Sequence, residues 1–306
     1  MIDRTREVAH RWWITGKSVR GAAHRRRDIP NQDALNWTPL EDRSPPVLVA
    51  LADGHGGEKS FRSDVGARLA VNVALDTLGE LVEARRRNDD KENLTFVNRF
   101  CHEYLPRKIW TYWRRAVDEE LERTPFEKSE LALVFPDNPP ENPLRDERRF
   151  RPFGSTLVAA LFTDEFFFFL QLGDGDAIVV DDRAVAKRVF DDPPTLGEET
   201  HSLCGEEAWK RTKCRFQKIS DQPPVLALLA TDGYSKSFVN DEAFLQVGTD
   251  LLKIVRKQGV DYVDHNLETW LSEASSDGSG DDATAALIYR LEDDEGSPIS
   301  SLPPIG

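Results

Sequence analysis

Val47-Leu-Val-Ala-Leu-Ala52 is a continuous apolar run that breaks abruptly into Asp53-Gly-His-Gly-Gly57. Apolar residues without alternation predict a strand buried on both faces, and a polar, glycine-rich loop opens at its end. Pro45 and Pro46 introduce the run. Downstream, Phe61, Val65, Leu69, Val73 and Leu78 recur at helical intervals, as do Leu94, Val97, Cys101, Leu105, Trp110, Trp113, Val117 and Leu121. Two long amphipathic helices are therefore expected after the loop. Upstream, Trp12 to Arg20 reads as a strand, Gly21 to Gln32 as a loop, and Ala34 to Trp37 as a short strand.

Further along, Pro125 to Pro152 carries several prolines and many charges with no period, which predicts a long surface insertion. Strands return at Gly154 to Phe162 and Phe166 to Leu172, joined by a turn at Thr163-Asp164-Glu165, and Asp176 to Val180 is expected to pair with Ala184 to Val189. A second buried run, Val225 to Ala230, stops at Thr231-Asp232-Gly233. Two helices follow, carried by Phe244, Leu251, Leu252 and Val255 and by Val263, Leu267, Trp270 and Leu271, before a last strand from Ala283 to Tyr289. Strands, helices, strands, helices and a final strand describe an α+β layered domain to which both chain ends contribute. The expectation is one domain over residues 1–292, with an insertion at about 88–153 and a frayed tail at 293–306.

The chain has 306 residues, 39% hydrophobic and 31% charged, the mix of a globular protein. Fifty-four acidic against forty basic residues give a net charge of -14, which repels phosphate backbones and anionic headgroups, so no nucleic-acid or membrane partner is expected. The longest apolar runs are strand-sized, far short of the roughly 18 residues of a membrane span. The charged N-terminus reaches Trp12 and Trp13 without an apolar signal core, and the odd set Cys101, Cys204 and Cys214 lacks metal or disulfide spacing. A cytoplasmic location with reduced thiols is the expectation.

Apolar runs end in aspartate again and again: Ala52 into Asp53, Leu170-Gln-Leu-Gly into Asp174, Ala230 into Asp232, and a loop ending in Asp281-Asp282 before the last strand. Carboxylates at the rim of a buried sheet can converge although distant in sequence, and converging carboxylates repel unless cations sit between them. An oxygen-rich donor set points to Mg²⁺ or Mn²⁺ over zinc. Three of these sites are Asp-Gly, and any one Asp-Gly is more often a tight turn, but the four sites together favour a metal centre. Gly57-Glu58-Lys59-Ser60 lacks the glycines of a phosphate-binding loop, and Asp277-Gly-Ser-Gly-Asp281 has Asp282 and Ile288 where a calcium loop needs glycine and glutamate.

The ordered set Asn31-Gln-Asp33, Asp53-Gly-His-Gly-Gly57, Gly154-Ser-Thr156, Gly173-Asp174, Thr231-Asp-Gly233 and Asp281-Asp-Ala-Thr284 resembles the metal-dependent serine/threonine protein phosphatases of the 2C family, across nearly the whole chain. Its Ser-Gly-Asp-Asp-x-Thr ending and Phe61-Arg-Ser-Asp64 look most like the bacterial branch. The resemblance implies a four-layer αββα sandwich with two central antiparallel β-sheets and a binuclear metal centre at one end. It matches Asp53 to the carboxylate bridging both ions, Gly54 to a backbone carbonyl on the first, and Asp232 and Asp281 to ligands of the second. Asp33 matches an outer carboxylate holding metal-bound water, and Asp174 a ligand of a third ion shared with Asp232. At least two Mg²⁺ or Mn²⁺ ions are thus implied, with room for a third.

The activity implied by that resemblance is hydrolysis of phosphoserine and phosphothreonine in proteins by a metal-bridging hydroxide, with His55 as general acid to the leaving alkoxide. Partners implied are phosphorylated proteins, a serine/threonine kinase or its targets. The net charge would favour basic phosphorylated segments, subject to the local field at the channel mouth. Asp28 stands where many relatives place a phosphate-gripping arginine, so Arg26, Arg27 or His24 could serve; a solvated loop is the other reading of that cluster. Gln32, Gly175 and Asp282 depart from the commonest residues of the family. The alternatives are a phosphoprotein-binding scaffold that has lost turnover and a phosphatase of small molecules.

Overall fold

In a computed structural model, which describes residues 10–87, 94–137, 140–190, 200–219 and 223–291, the run at Val47 is a central strand. The strands are β1 (Trp12–Val19), β2 (Asp33–Trp37), β3 (Val47–Asp53), β4 (Leu157–Phe162), β5 (Phe166–Leu172), β6 (Asp176–Val180), β7 (Ala186–Arg188), β8 (Lys213–Lys218), β9 (Leu226–Ala230) and β10 (Ala283–Arg290). They form two antiparallel sheets, in the order β1-β10-β9-β6-β7 and β2-β3-β4-β5-β8. The two apolar runs read as buried strands, β3 and β9, lie inside different sheets.

Helices cover both outer faces: α1 (Ala22–Arg27), α2 (Ser63–Arg86), α3 (Leu94–Glu103), α4 (Leu105–Arg123), α5 (Lys128–Val134), α6 (Asp232–Ser235), α7 (Asp241–Gln258) and α8 (Val260–Asp277). Side-chain alternation then makes three apolar layers. Ala50, Phe168 and Leu170 face α2, α3 and α4. Ile178, Leu228 and Leu287 face α7 and α8. Between the sheets lie Trp12, Val49, Leu51, Phe162, Phe169, Leu229 and Ile288. Each large apolar side chain buried in this way contributes about 1.5–3 kcal/mol, so the expected αββα sandwich is held by its middle and its two flanks alike.

Four sequence expectations need correction. Part of the Gly21–Gln32 loop is helical, as α1, closed by Asp28 in a left-handed conformation (φ 55°). The helix expected through Leu121 breaks at Tyr104, where Pro106 fits the first turn of α4 and would clash inside a continuous helix. The Pro125–Pro152 stretch is not merely a surface loop: α5 forms there, and Phe135 and Phe150 are buried. Arg62 fastens this segment with bonds to Glu130 (2.6 Å) and the Pro125 carbonyl (3.1 Å), its guanidinium 5.0 Å from the Phe126 ring. Strand β8 was not anticipated, because a half-exposed edge strand reading Lys-Cys-Arg-Phe-Gln-Lys shows little apolar signal. The tail at 293–306 lies outside the described residues.

Candidate metal centre

One end of the sandwich gathers the aspartates because the strands that carry them stop there. In the β2–β3 ladder Asp33 is the direct partner of Asp53. Strand β9 ends at Ala230, and Asp232 opens α6 just beyond it. Asp281 and Asp282 immediately precede β10, which pairs with both β1 and β9. Asp174 lies in the connection between β5 and β6.

Burial and mutual repulsion raise the Asp53 carboxyl well above the usual range, with Asp33, Asp232 and Asp281 all contributing. Burial likewise pushes Asp33 up to about 8 against the lowering effect of two hydroxyls. Those hydroxyls are Thr231 Oγ1 and Thr284 Oγ1, which donate to Asp33 Oδ2 at 2.8 and 2.6 Å. The other oxygen, Asp33 Oδ1, is buried and accepts no hydrogen bond among the described residues, and the same holds for Asp232 Oδ1. Burial also raises Asp281. For Asp232 burial is outweighed by the neighbouring Asp53 carboxyl and by the Lys236 ammonium, which hold it low. Lys236, one helical turn after Asp232, bonds both Asp232 and Asp174, the latter at 3.0 Å. Sequence reasoning passed over it; its i,i+4 spacing from Asp232 was the available signal.

Gly54 is required by space. A Cβ there would come within 2.6 Å of the Ser63 carbonyl and 2.7 Å of the Gln32 carbonyl, while its N–H donates to that Gln32 oxygen at 3.1 Å. His55 is anchored by its N–H to the Gly154 carbonyl at 3.0 Å. Burial lowers its pKa, and Asp174 and Asp232 pull the other way.

Asp282 plays a part that its position in the motif did not suggest. It is 3% exposed, and its two oxygens accept the N–H groups of Gly21 (2.6 Å) and Gln32 (2.7 Å). His24 Nδ1 lies 2.9 Å from Asp282 and Nε2 3.5 Å from Asp281. Of the residues singled out for phosphate, His24 therefore reaches the acidic end, whereas Arg26 and Arg27 are exposed on α1 and make no ion pair among the described residues. Asp28 accepts from Arg20 at 3.2 Å, and Arg20 also bonds the His24 and Ile29 carbonyls, fastening the base of α1.

Hard divalent cations fit this donor set. Carboxylates are crowded until their protons are hard to lose, and two buried oxygens lack any partner.

Comparison with solved structures finds the same fold at low identity. The serine/threonine phosphatase PstP/Ppp of Mycobacterium tuberculosis is 16% identical with a TM-score of 0.53, over 92% of this chain and 100% of that one. A PstP catalytic domain solved with two manganese ions is 17% identical with a TM-score of 0.53, over 92% and 100%. A serine/threonine phosphatase of S. agalactiae is 15% identical with a TM-score of 0.53, over 92% and 100%. No curated protein matches the sequence. The family model for protein phosphatase 2C matches residues 20–272, a span that takes in Asp33, Asp53, His55, Asp174 and Asp232. On that match the chain belongs to the protein phosphatase 2C family and is a protein serine/threonine phosphatase.

Proposed function

We propose that this domain hydrolyses phosphoserine and phosphothreonine in proteins with Mg²⁺ or Mn²⁺, two ions at least, held by Asp53, the Gly54 carbonyl, Asp232 and Asp281. The observation that carries this reading is the pair of buried, unpartnered oxygens on Asp33 and Asp232 amid mutually repelling carboxylates. When bound, such ions acidify water and neutralise phosphate charge. The remaining work falls to side chains. Thr231 and Thr284 fix one oxygen of Asp33, leaving the other to orient water. Lys236 ties Asp174 to Asp232 and keeps both carboxylates in place. His55, beside the acidic loop, delivers the proton that the leaving serine or threonine oxygen needs; burial lowers its pKa, and the Asp174 and Asp232 carboxylates oppose that by favouring the protonated form the role requires. His24, set by Asp281 and Asp282, is the better placed of the proposed phosphate contacts.

The substrates are phosphoproteins of a serine/threonine kinase, or the kinase itself, in a reducing cytoplasm that suits three free cysteines. Among the described residues no helix is long and apolar enough to cross a membrane. Purified protein should release phosphate from a phosphothreonine peptide with Mn²⁺ and stop on exhaustive chelation. Turnover that survives chelation rejects the metal reading.

A further inference from the structure

Opposite the side where β1 and β2 meet, the two sheets do not close among the described residues. β7 ends one sheet and β8 the other, and between them the inter-sheet layer opens into a groove of about 1290 Å³. Its floor is apolar, with Phe167, Phe169, Ala177 and Val179. Pairing register decides what stands on the walls: Lys187 is opposite Val179, and Arg215 opposite Phe169. Directly paired residues project from the same face, so both cations rise beside the apolar floor. Arg211 adds a third at the β8 end.

The acids lining the groove are engaged within the protein. Asp176 and Asp241 meet Arg188, Asp182 meets Arg290, and Asp181 accepts backbone N–H groups of its own turn. Lys187, Arg211 and Arg215 are exposed and make no ion pair among the described residues. At its other end the groove reaches Asp174 and Lys236, which belong to the metal centre.

We propose that this groove docks an acidic segment of the phosphoprotein substrate, next to the phosphorylated residue. The proposal rests on the phosphatase reading and adds the class of sequence preferred. It reverses what the net charge of -14 suggests. The groove lining carries six cations against five acids, so the field beside the site departs from that of the whole chain, whose distant surface acids are screened beyond a Debye length of about 8–10 Å. The groove's volume exceeds the roughly 300–1,000 Å³ of a small-molecule pocket and suits a peptide.

The test compares two peptides with one central phosphothreonine, flanked by glutamates or by glutamines, and a small aryl phosphate. The wild type should show about 10-fold higher kcat/KM on the acidic peptide, the size expected when two or three exposed charge pairs form. A Lys187→Glu/Arg215→Glu variant should lose that advantage and keep its aryl phosphate activity. Equal kcat/KM on the two peptides in the wild type, or an advantage that survives in the variant, overturns the proposal.

Binding separates this idea from the phosphatase reading. A fluorescein-labelled glutamate-rich peptide without phosphate, followed by anisotropy in chelator, should bind the wild type, weaken with salt and bind the variant at least 5-fold more weakly. Such binding in a chain without turnover rejects only the enzyme reading. Failure to bind rejects the groove, as does binding that emerges only when residues 191–199, themselves acidic, are deleted.

Discussion

The middle of the sandwich and its acidic end are made by the same strands and obey opposite rules. In the middle, Leu51, Phe162 and Phe169 are at most 1% exposed and pack apolar against apolar. Two residues beyond Leu51 the same strand reaches Asp53, where burial opposes charge and three other carboxylates oppose it further. The interior is optimised for folding. The end is held in an unfavourable state by that interior, which on the proposed reading a bound cation would relieve. Residues of the two regions should therefore respond differently to mutation.

The largest difference should be in turnover. Asp232→Ala removes a carboxylate with a buried, unpartnered oxygen, and kcat should fall by about 10³-fold or more, while circular dichroism shows the fold retained. A variant with most of its activity would place the chemistry elsewhere. Phe162→Ala should do the converse. It opens a cavity between the sheets at a site 0% exposed and should cost about 3–5 kcal/mol by denaturant titration, with Mn²⁺ affinity of the folded fraction unchanged. A coupled loss of affinity would mean that middle and end are not separable.

His55 sharpens the comparison inside the acidic end. His55→Ala should keep its metal and lose about 10²-fold in kcat on a phosphoserine peptide. An aryl phosphate, whose leaving group needs little protonation, should suffer much less. Equal losses on both substrates would make His55 a positioning residue.

A smaller effect concerns stability without metal. Asp33 titrates near 8 in the folded chain against 3.8 ordinarily. Its contribution is therefore complete below about pH 4 and is lost as pH rises through about 8. Metal-free protein should lose Tm across that window, and Mn²⁺ should flatten the loss. A profile that is flat in chelator would show that the carboxylates are not in conflict.

Much of this was legible in the sequence for a physical reason. Strands buried on both faces must be apolar throughout, so Val47–Ala52 and Val225–Ala230 announce themselves, and the aspartates at their ends mark where the apolar packing stops. What escaped was local or depended on tertiary contacts. Helix α1 is six residues long and lies in a polar stretch, so no period could establish it. Strand β8 packs one face only, with Phe216 stacked on Phe166 at 4.8 Å. In the site, the missed residues act through partners distant in sequence: Asp282 holds Gly21 and Gln32, and Thr231 and Thr284 hold Asp33. Spacing along the chain carries no trace of such pairings.

The central claim is that the acidic end is a metal centre assembled by the sandwich. Calorimetric titration of chelator-treated protein with Mn²⁺ tests it most directly, with Asp53→Asn as the comparison. The wild type should bind at least two ions and Asp53→Asn should bind fewer or bind far more weakly, while its metal-free Tm rises by a few degrees because one crowded charge is gone. A wild type that takes up no Mn²⁺, or an Asp53→Asn variant that binds it equally well, would contradict the account.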